Sequence, residues 1–262
     1  MKTTAIMNLK GGVAKTITAV NMAAILAAKH GKRVLLIDAD PQGNTSSFFP
    51  VLPDDCTLRE ILLGEIEPYW GETVYGSSIA GLHIVPSDMS LATLDVSAGE
   101  QNDAEEYRKR LYRLREFIEA TAEDDAFDHC IIDLPPSFTT SAKAALIAAD
   151  EVIIPMKIDA FSLKGMQVLM DQIATMRKIN DRLRLAGVLI TMHPNIEAAD
   201  VAKRILKERQ IPAFQSVIRW TKKKVDESTM SKLPLHLHSP RCGAARDYVK
   251  FVEEYLGGER NA

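Results

Sequence analysis

The sequence is poor in several features that mark particular classes of protein. It has only three cysteines among 262 residues and no Cys-x-x-Cys pair, which argues against a zinc site or a disulfide framework. No run approaches the ~18 apolar residues needed to span a bilayer, and the amino terminus lacks a signal-peptide layout. A formal net charge of -3 gives no overall bias toward nucleic acid. We therefore expect a reduced, cytoplasmic protein without a membrane partner.

The organisation of the chain points to one domain over residues 1–262, because no linker rich in Gly, Pro or Ser and no internal repeat divides it. Short apolar runs alternate with longer helical patterns, which predicts an α/β fold with a mostly parallel, twisted sheet and helices on both faces. Strands are predicted at residues 3–8, 33–37, 82–85, 129–132, 151–155 and 185–191. Helices are predicted at residues 16–29, 104–121, 140–149, 163–179, 198–209 and 244–256. Segment 48–97 is expected to be largely irregular.

A loop rich in glycine and lysine lies between the first strand and the first long helix. It reads Lys10-Gly11-Gly12-Val13-Ala14-Lys15-Thr16. Glycines let the backbone wrap around phosphate oxygens, and the helix amino terminus adds its positive dipole end. Lys15 can then reach the β- and γ-phosphates, and the Thr16 hydroxyl can ligate Mg²⁺. The alternative is a strand-to-helix turn with a stray lysine.

Carboxylates follow two other predicted strands, at the edge where open α/β sheets bind ligands. The second strand runs into Asp38 and Asp40, and the strand at 129–132 runs into Asp133. A carboxylate at the end of a rigid strand can be held near Mg²⁺, as in a Walker B site. An ordinary structural alternative exists, since Asp38 can cap a turn and Asp40 can be the turn residue before Pro41.

Together these motifs resemble the ParA/MinD family of dimeric P-loop ATPases, whose deviant Walker A loop reads Lys-Gly-Gly-x-x-Lys-Thr. Residues 38–44 are similar to the family's switch I, and residues 133–137 to its switch II. The resemblance covers most of the chain and implies a P-loop NTPase fold that takes ATP and Mg²⁺. The chain departs from the family at Ala14, where Gly is usual, and at Leu134, where Cys is frequent. If residue 14 needs a positive φ, alanine costs about 1 kcal/mol of local strain.

The resemblance also implies roles for single residues. As catalytic residues, Lys10 would reach across a homodimer to the partner's nucleotide, Lys15 would act on the phosphates, and Asp40 would position the attacking water. The metal group would be Thr16, Asp38 and Asp133, with Asp38 supporting the ion indirectly. The nucleotide would be contacted by Lys10, Gly11, Gly12, Val13, Ala14, Lys15, Thr16, Ile17, Met192 and Pro194, the Met and the Pro lying near the adenine.

Basic residues are concentrated in the carboxy-terminal third. The candidate DNA contacts there are Arg219, Lys222, Lys223, Lys224 and Arg246. Two copies of this patch on a dimer could grip phosphates in a salt-sensitive, sequence-independent way. A second basic group, Lys203, Arg204 and Lys207, is equally compatible with the solvent-exposed face of an amphipathic helix.

The function implied by the resemblance is the segregation of a plasmid, a chromosome or an integrated mobile element. An ATP-bound homodimer would bind nonspecific double-stranded DNA on the nucleoid, and a ParB-like centromere-binding partner would stimulate slow hydrolysis. A MinD-like positioning ATPase on membranes and a nucleotide-binding module with little hydrolysis are the alternatives. The acidic polar face at residues 251–256 is ill suited to anionic lipid. The intact Lys15, Thr16, Asp40 and Asp133 argue against a module that does not hydrolyse ATP.

Overall fold

One sheet organises the molecule. The computed structural model describes residues 1–49, 56–66, 70–100, 104–158, 162–193 and 196–259. Within these ranges the strands are β1 (Lys2–Ile6), β2 (Val34–Asp38), β3 (Tyr75–Gly76), β4 (Leu82–Val85), β5 (His129–Asp133), β6 (Glu151–Lys157), β7 (Arg184–His193) and β8 (Ala213–Arg219). Their order is β3-β4-β2-β5-β1-β6-β7-β8, and all neighbours are parallel except β3 and β4. The predicted, mostly parallel α/β sheet is confirmed.

Helices cover both faces of this sheet. Successive side chains of a strand point to opposite faces, so neighbouring residues of β2 belong to different apolar clusters: Leu36 lies in the cluster that includes the first and the carboxy-terminal helices, and Leu35 lies in the cluster on the other face. The apolar runs of the central strands are therefore buried on both sides. The described helices are α1 (Lys15–His30), α2 (Asn44–Phe48), α3 (Leu58–Leu63), α4 (Trp70–Thr73), α5 (Thr93–Glu100), α6 (Ala104–Glu123), α7 (Thr140–Ala148), α8 (Ser162–Met176), α9 (Ile196–Glu208), α10 (Lys222–Met230), α11 (Leu235–His238) and α12 (Gly243–Glu259), with a 3-10 turn at Met89–Ala92.

Helix α1 follows the glycine loop and is central to the site. Its sequence is rich in alanine, the strongest helix former. Gly31, in a left-handed conformation, caps its carboxyl end and donates its N–H to the carbonyl of Ala27. The hydroxyls of Thr18 in α1 and Tyr248 in α12 lie 3.1 Å apart in a buried hydrogen bond. The carboxy-terminal helix is thus joined to the helix that carries the loop.

Three parts of the chain differ from the sequence prediction. Ala213–Arg219 forms an additional strand next to β7, but its residues are mostly half-buried and lack the continuous apolar run that predicts the other strands. Segment 48–97, expected to be irregular apart from β4, contains short helices and β3, and a capping box of Thr57 and Glu60 begins α3. Residues 221–240 contribute α10 and α11. Over the described ranges, no helix is both long and apolar enough to cross a membrane.

Candidate active site

The loop between β1 and α1 lies at the carboxyl edge of the sheet and is fixed by its neighbours. Asn8 accepts a hydrogen bond from the backbone N–H of Lys10 at 2.9 Å and donates to the carbonyl of Pro155 in β6 at 2.7 Å. Thr191 in β7 donates to the carbonyl of Val13 at 3.0 Å. A Cβ added at Gly11 or Gly12 would meet no atom within 4 Å among the described residues. The loop therefore has the open concave backbone that a phosphate-binding site requires.

Ala14 adopts the left-handed backbone conformation that strains an L-residue. Its φ of 66° and ψ of 34° are left-handed, and it precedes the first residue of α1. Its carbonyl accepts the N–H of Thr18 at 2.9 Å, the first hydrogen bond of the helix. The expected strain of about 1 kcal/mol therefore applies to this alanine.

Lys15 brings a positive charge to the centre of the site. Only 8% of this residue is exposed, and its ammonium donates to the carbonyl of Lys10 at 3.2 Å. Burial lowers the pKa of Lys15, while the charges of Asp133 and Asp40 act in the opposite direction. The structure thus brings together Lys15, Asp40 and Asp133, whose motifs predict a shared site. The predicted reach of Lys10 to a partner's nucleotide stays a prediction.

Asp133 and Thr16 form a site that fits a divalent cation. The hydroxyls of Thr16 and Thr45 donate to the same carboxylate oxygen, Oδ2 of Asp133, at 2.7 and 2.8 Å. The other oxygen, Oδ1, is buried and has no hydrogen-bond partner among the described residues. Burial raises the pKa of Asp133 to about 6, although the two hydroxyls and the Lys15 charge oppose this shift. A buried carboxylate oxygen without a donor is an arrangement that a bound Mg²⁺ ion would satisfy.

The described residues alone do not supply a complete metal site. Within the described ranges no group of three or more His, Cys, Asp or Glu side chains is placed to hold an ion. Mg²⁺ is usually bound by one or two protein ligands together with substrate phosphates. Thr16 and Asp133 therefore fit an ion that arrives with a nucleotide.

Asp38 lies beside Asp133 but directs its hydrogen bonds elsewhere. The two residues are register partners in β2 and β5. Asp38 accepts from the backbone N–H and hydroxyl of Ser46 at 2.8 and 2.7 Å, and from the N–H of Asp40 at 3.2 Å. Burial, and then the charge of Asp133, raise the pKa of Asp38 to about 8. The turn-capping alternative for Asp38 is therefore present in the structure, and its role toward the ion stays a prediction.

Asp40 also combines a turn contact with a position in the site. Its carboxylate accepts the N–H of Gln42 at 3.0 Å, and its carbonyl accepts the hydroxyl of Ser87 at 3.0 Å. The Ser87 N–H donates to the hydroxyl of Ser46 at 2.9 Å. Gly43 has a φ of 61°, and a Cβ there would lie 2.8 Å from the Ser87 carbonyl oxygen. Residues 40–46 are thus held against Ser87, which sequence reasoning missed together with Thr45 and Ser46.

The predicted base contacts are only partly described. Met192 is half-buried near the end of β7 and has a left-handed φ of 53°. Ile17 is half-buried in α1, and Val13 is buried in the loop. Pro194 lies outside the described residues. The contact of Met192 with adenine stays a prediction.

The candidate DNA residues lie at the end of β8 and along the helices that follow it. Arg219 forms a bidentate ion pair with Asp247 of α12, with N–O distances of 2.7 and 2.8 Å. Its side chain remains 52% exposed, while that of Asp247 is 7% exposed. Sequence reasoning missed this partner because it lies 28 residues away in the chain. Arg219 is therefore anchored on one side and open to solvent on the other.

The remaining candidate cations differ in their exposure and partners. Lys222 and Lys223 are exposed at the first residues of α10. Lys224 pairs with Glu227 at 2.7 Å, which offsets part of its charge. Arg246 is exposed, and its guanidinium donates to the carbonyl of Arg241 at 2.9 Å. Among the described residues, Lys222, Lys223 and Arg246 are thus the exposed charges of the predicted set that no carboxylate pairs with.

Comparisons with known proteins agree with this geometry. The profile of a family described as "AAA domain" matches residues 1–185. The chromosome partitioning protein ParA of Caulobacter vibrioides is 33% identical over 266 residues, which cover 100% of this chain and 96% of that protein. The sporulation initiation inhibitor protein Soj of Bacillus subtilis is 30% identical, with 97% of each chain covered. The cobyrinic acid a,c-diamide synthase of Mycobacterium smegmatis with bound ADP and magnesium superposes with a TM-score of 0.78 at 26% identity, covering 98% of this chain and 94% of that one.

Proposed function

Because the chain belongs to the ParA/Soj family of partitioning ATPases, we propose that it moves a DNA cargo by binding DNA as an ATP-bound dimer and leaving it after hydrolysis. The chain is an ATPase that uses magnesium, as its family and the nucleotide-bound structure similar to it indicate. Hydrolysis would control dimerisation and DNA binding, and a partner protein would trigger release from DNA.

The residues at the carboxyl edge of the sheet have different roles in hydrolysis. The loop amides and the Lys15 ammonium would bind phosphate oxygens, and Thr16 and Asp133 would hold the ion. Magnesium, when bound, neutralises charge on the phosphates. By resemblance to the family, Asp40 is assigned to orient the attacking water. Its carboxylate lies near Lys15, and one of its two oxygens accepts the Gln42 N–H. Positioning and electrostatic stabilisation supply most of the catalysis in such a site.

The observation that carries the proposal is the pair of lysines that flank the glycines. Lys15 is buried inside the site, whereas Lys10 is half-buried at the entrance, where its carbonyl accepts the Lys15 ammonium. One lysine is enough for the phosphates bound by its own chain. By its resemblance to the family's signature lysine, Lys10 is assigned to the nucleotide of a partner subunit, so that ATP joins two copies of this chain.

The DNA-binding face that we propose consists of the open side of Arg219 together with Lys222, Lys223 and Arg246. These residues supply exposed charge without a groove-reading motif, which favours contacts with phosphates over contacts with bases. A dimer doubles the face, so DNA affinity depends on ATP. The release partner is a ParB-like centromere-binding protein, and the bound state places the protein on the nucleoid.

Sedimentation tests the proposal directly. The protein is sedimented by centrifugation with ATP, with ADP or without nucleotide, in each case with and without nonspecific double-stranded DNA. We expect a dimer and DNA binding only with ATP, because only the γ-phosphate gives Lys10 its contact in the partner. Binding to vesicles of anionic lipid without binding to DNA would contradict the proposal and favour a membrane-positioning role.

A charge reversal on α10 tests the DNA face. The double variant Lys222→Glu/Lys223→Glu should bind DNA more weakly, and the slope of log affinity against log salt should fall by about one per phosphate contact removed, with ATP binding unchanged. Lys109→Glu on α6, where the lysine side chain is 60% exposed, is the control and should bind DNA normally. Arg219→Glu is less suitable because it would place a second carboxylate beside the buried Asp247. Wild-type DNA affinity of the double variant in low salt would refute the proposed face.

A further inference from the structure

Two consecutive hydroxyls at the start of α2 connect this short helix to both buried carboxylates. Thr45 donates to Asp133 in β5 at 2.8 Å, and Ser46 donates to Asp38 in β2 at 2.7 Å. Since Asp38 and Asp133 are register partners, the two contacts lie side by side. The position of α2 is therefore tied to the two strand ends that meet the nucleotide.

The two carboxylate oxygens of Asp133 differ in the number of hydrogen bonds that they accept. Its Oδ2 receives the hydroxyls of both Thr16 and Thr45, while its Oδ1 has no hydrogen-bond partner among the described residues. The terminal torsion of an aspartate is broad and is set by the contacts of its two oxygens. Two donors on one oxygen fix this torsion and leave the other oxygen to the ion.

The Thr45 hydroxyl makes a contact that its own helix does not require. Ser47, two residues further along α2, donates to the carbonyl of Gly43 four residues back, as hydroxyls in helices commonly do. Thr45 reaches instead across to another strand, and both it and Asp133 are fully buried. A buried side-chain contact of this kind holds a metal-binding carboxylate in one orientation.

We propose that Thr45 is a positioning residue for magnesium: with Thr16 it turns the Asp133 carboxylate so that Oδ1 faces the ion, and it thereby ties the placement of α2 to ion binding. This inference rests on the nucleotide site and is independent of the proposed DNA binding. A failure of either one leaves the other standing.

The test is a Mg²⁺ titration with a fluorescent ADP analogue, which reads binding and needs no turnover. Thr45→Val keeps the branched shape and removes the hydroxyl, so it should need about tenfold more Mg²⁺ for half-maximal binding. Thr45→Ser restores the hydroxyl and should return the requirement to that of the wild type. Thr121→Val is the matched control, because that buried hydroxyl donates to the carbonyl of Phe117 within its own helix instead of to a carboxylate of the site.

Two results would overturn the inference. One is a Thr45→Val protein with the Mg²⁺ requirement of the wild type. The other is a Thr45→Ser protein impaired as much as Thr45→Val, which would show that shape matters and the hydroxyl does not. Thermal melting of each variant verifies folding, and Thr45→Ala repeats the test without a branched side chain if Thr45→Val does not fold.

Discussion

Replacing Ala14 by glycine tests whether the phosphate loop is strained in this chain. The left-handed backbone of Ala14 costs an L-residue about 1–2 kcal/mol, and glycine avoids this cost. Glycine also gives the unfolded chain more freedom, which lowers stability by about 0.4–1 kcal/mol. The first effect is the larger one, so Ala14→Gly should raise the free energy of unfolding by about 0.5–1 kcal/mol.

The assay is thermal and urea denaturation without nucleotide. For a chain of this size, the gain corresponds to a rise in Tm of about 1–4 °C. Ala120→Gly within α6 is the matched control, since the same substitution inside a helix should lower stability by about 1 kcal/mol. If Ala14→Gly is destabilised as much as the control, the reasoning about strain at this position is wrong.

Two further predictions concern the carboxylates. Asp40→Ala should bind ATP normally but release phosphate at least about 100-fold more slowly, because water is no longer oriented; a wild-type rate of phosphate release would contradict this role. The pKa is raised to about 6 for Asp133 and to about 8 for Asp38. In Mg²⁺-free buffer, the free energy of unfolding should therefore be highest below about pH 4, the ordinary pKa of an aspartate, and should fall as the pH rises through about 6 and then about 8. The folded state holds protons that the unfolded chain has released, so the slope is about 1.4 kcal/mol per pH unit for each such proton. Asp38→Asn should flatten the upper part of this curve in urea denaturation, and equal wild-type stability at about pH 5 and about pH 9 would refute the assignment.

The sequence predicts the central strands well because their signal is local. Val34–Asp38 and His129–Asp133 are buried on both faces, so each reads as a continuous apolar run ending in aspartate. Ala213–Arg219 lies at the edge of the sheet and is mostly half-buried, so its pattern is mixed and does not predict a strand. An edge position is a property of the whole sheet, which no short window of sequence contains.

The same difference separates the predicted from the missed site residues. Lys15, Thr16 and Asp133 belong to motifs whose spacing alone indicates phosphate and metal chemistry. Thr45 and Ser87 become part of the site through contacts with residues 88 and 41 positions away, and a lone hydroxyl has no spacing that indicates such a partner. These contacts exist only after the sheet has assembled, so the structure is needed to find them.

The hydrogen bond between Thr18 and Tyr248 has a mechanical consequence. Tyr248 directly follows Asp247, which forms the ion pair with Arg219. One turn of α12 therefore contacts both α1, which follows the phosphate loop, and Arg219, the first cation of the proposed DNA face. Backbone hydrogen bonds hold a helical turn together, so the backbone positions of adjacent residues on it move as one unit. The helix that carries the phosphate loop and the first cation of the proposed DNA face are therefore joined through two adjacent residues of α12.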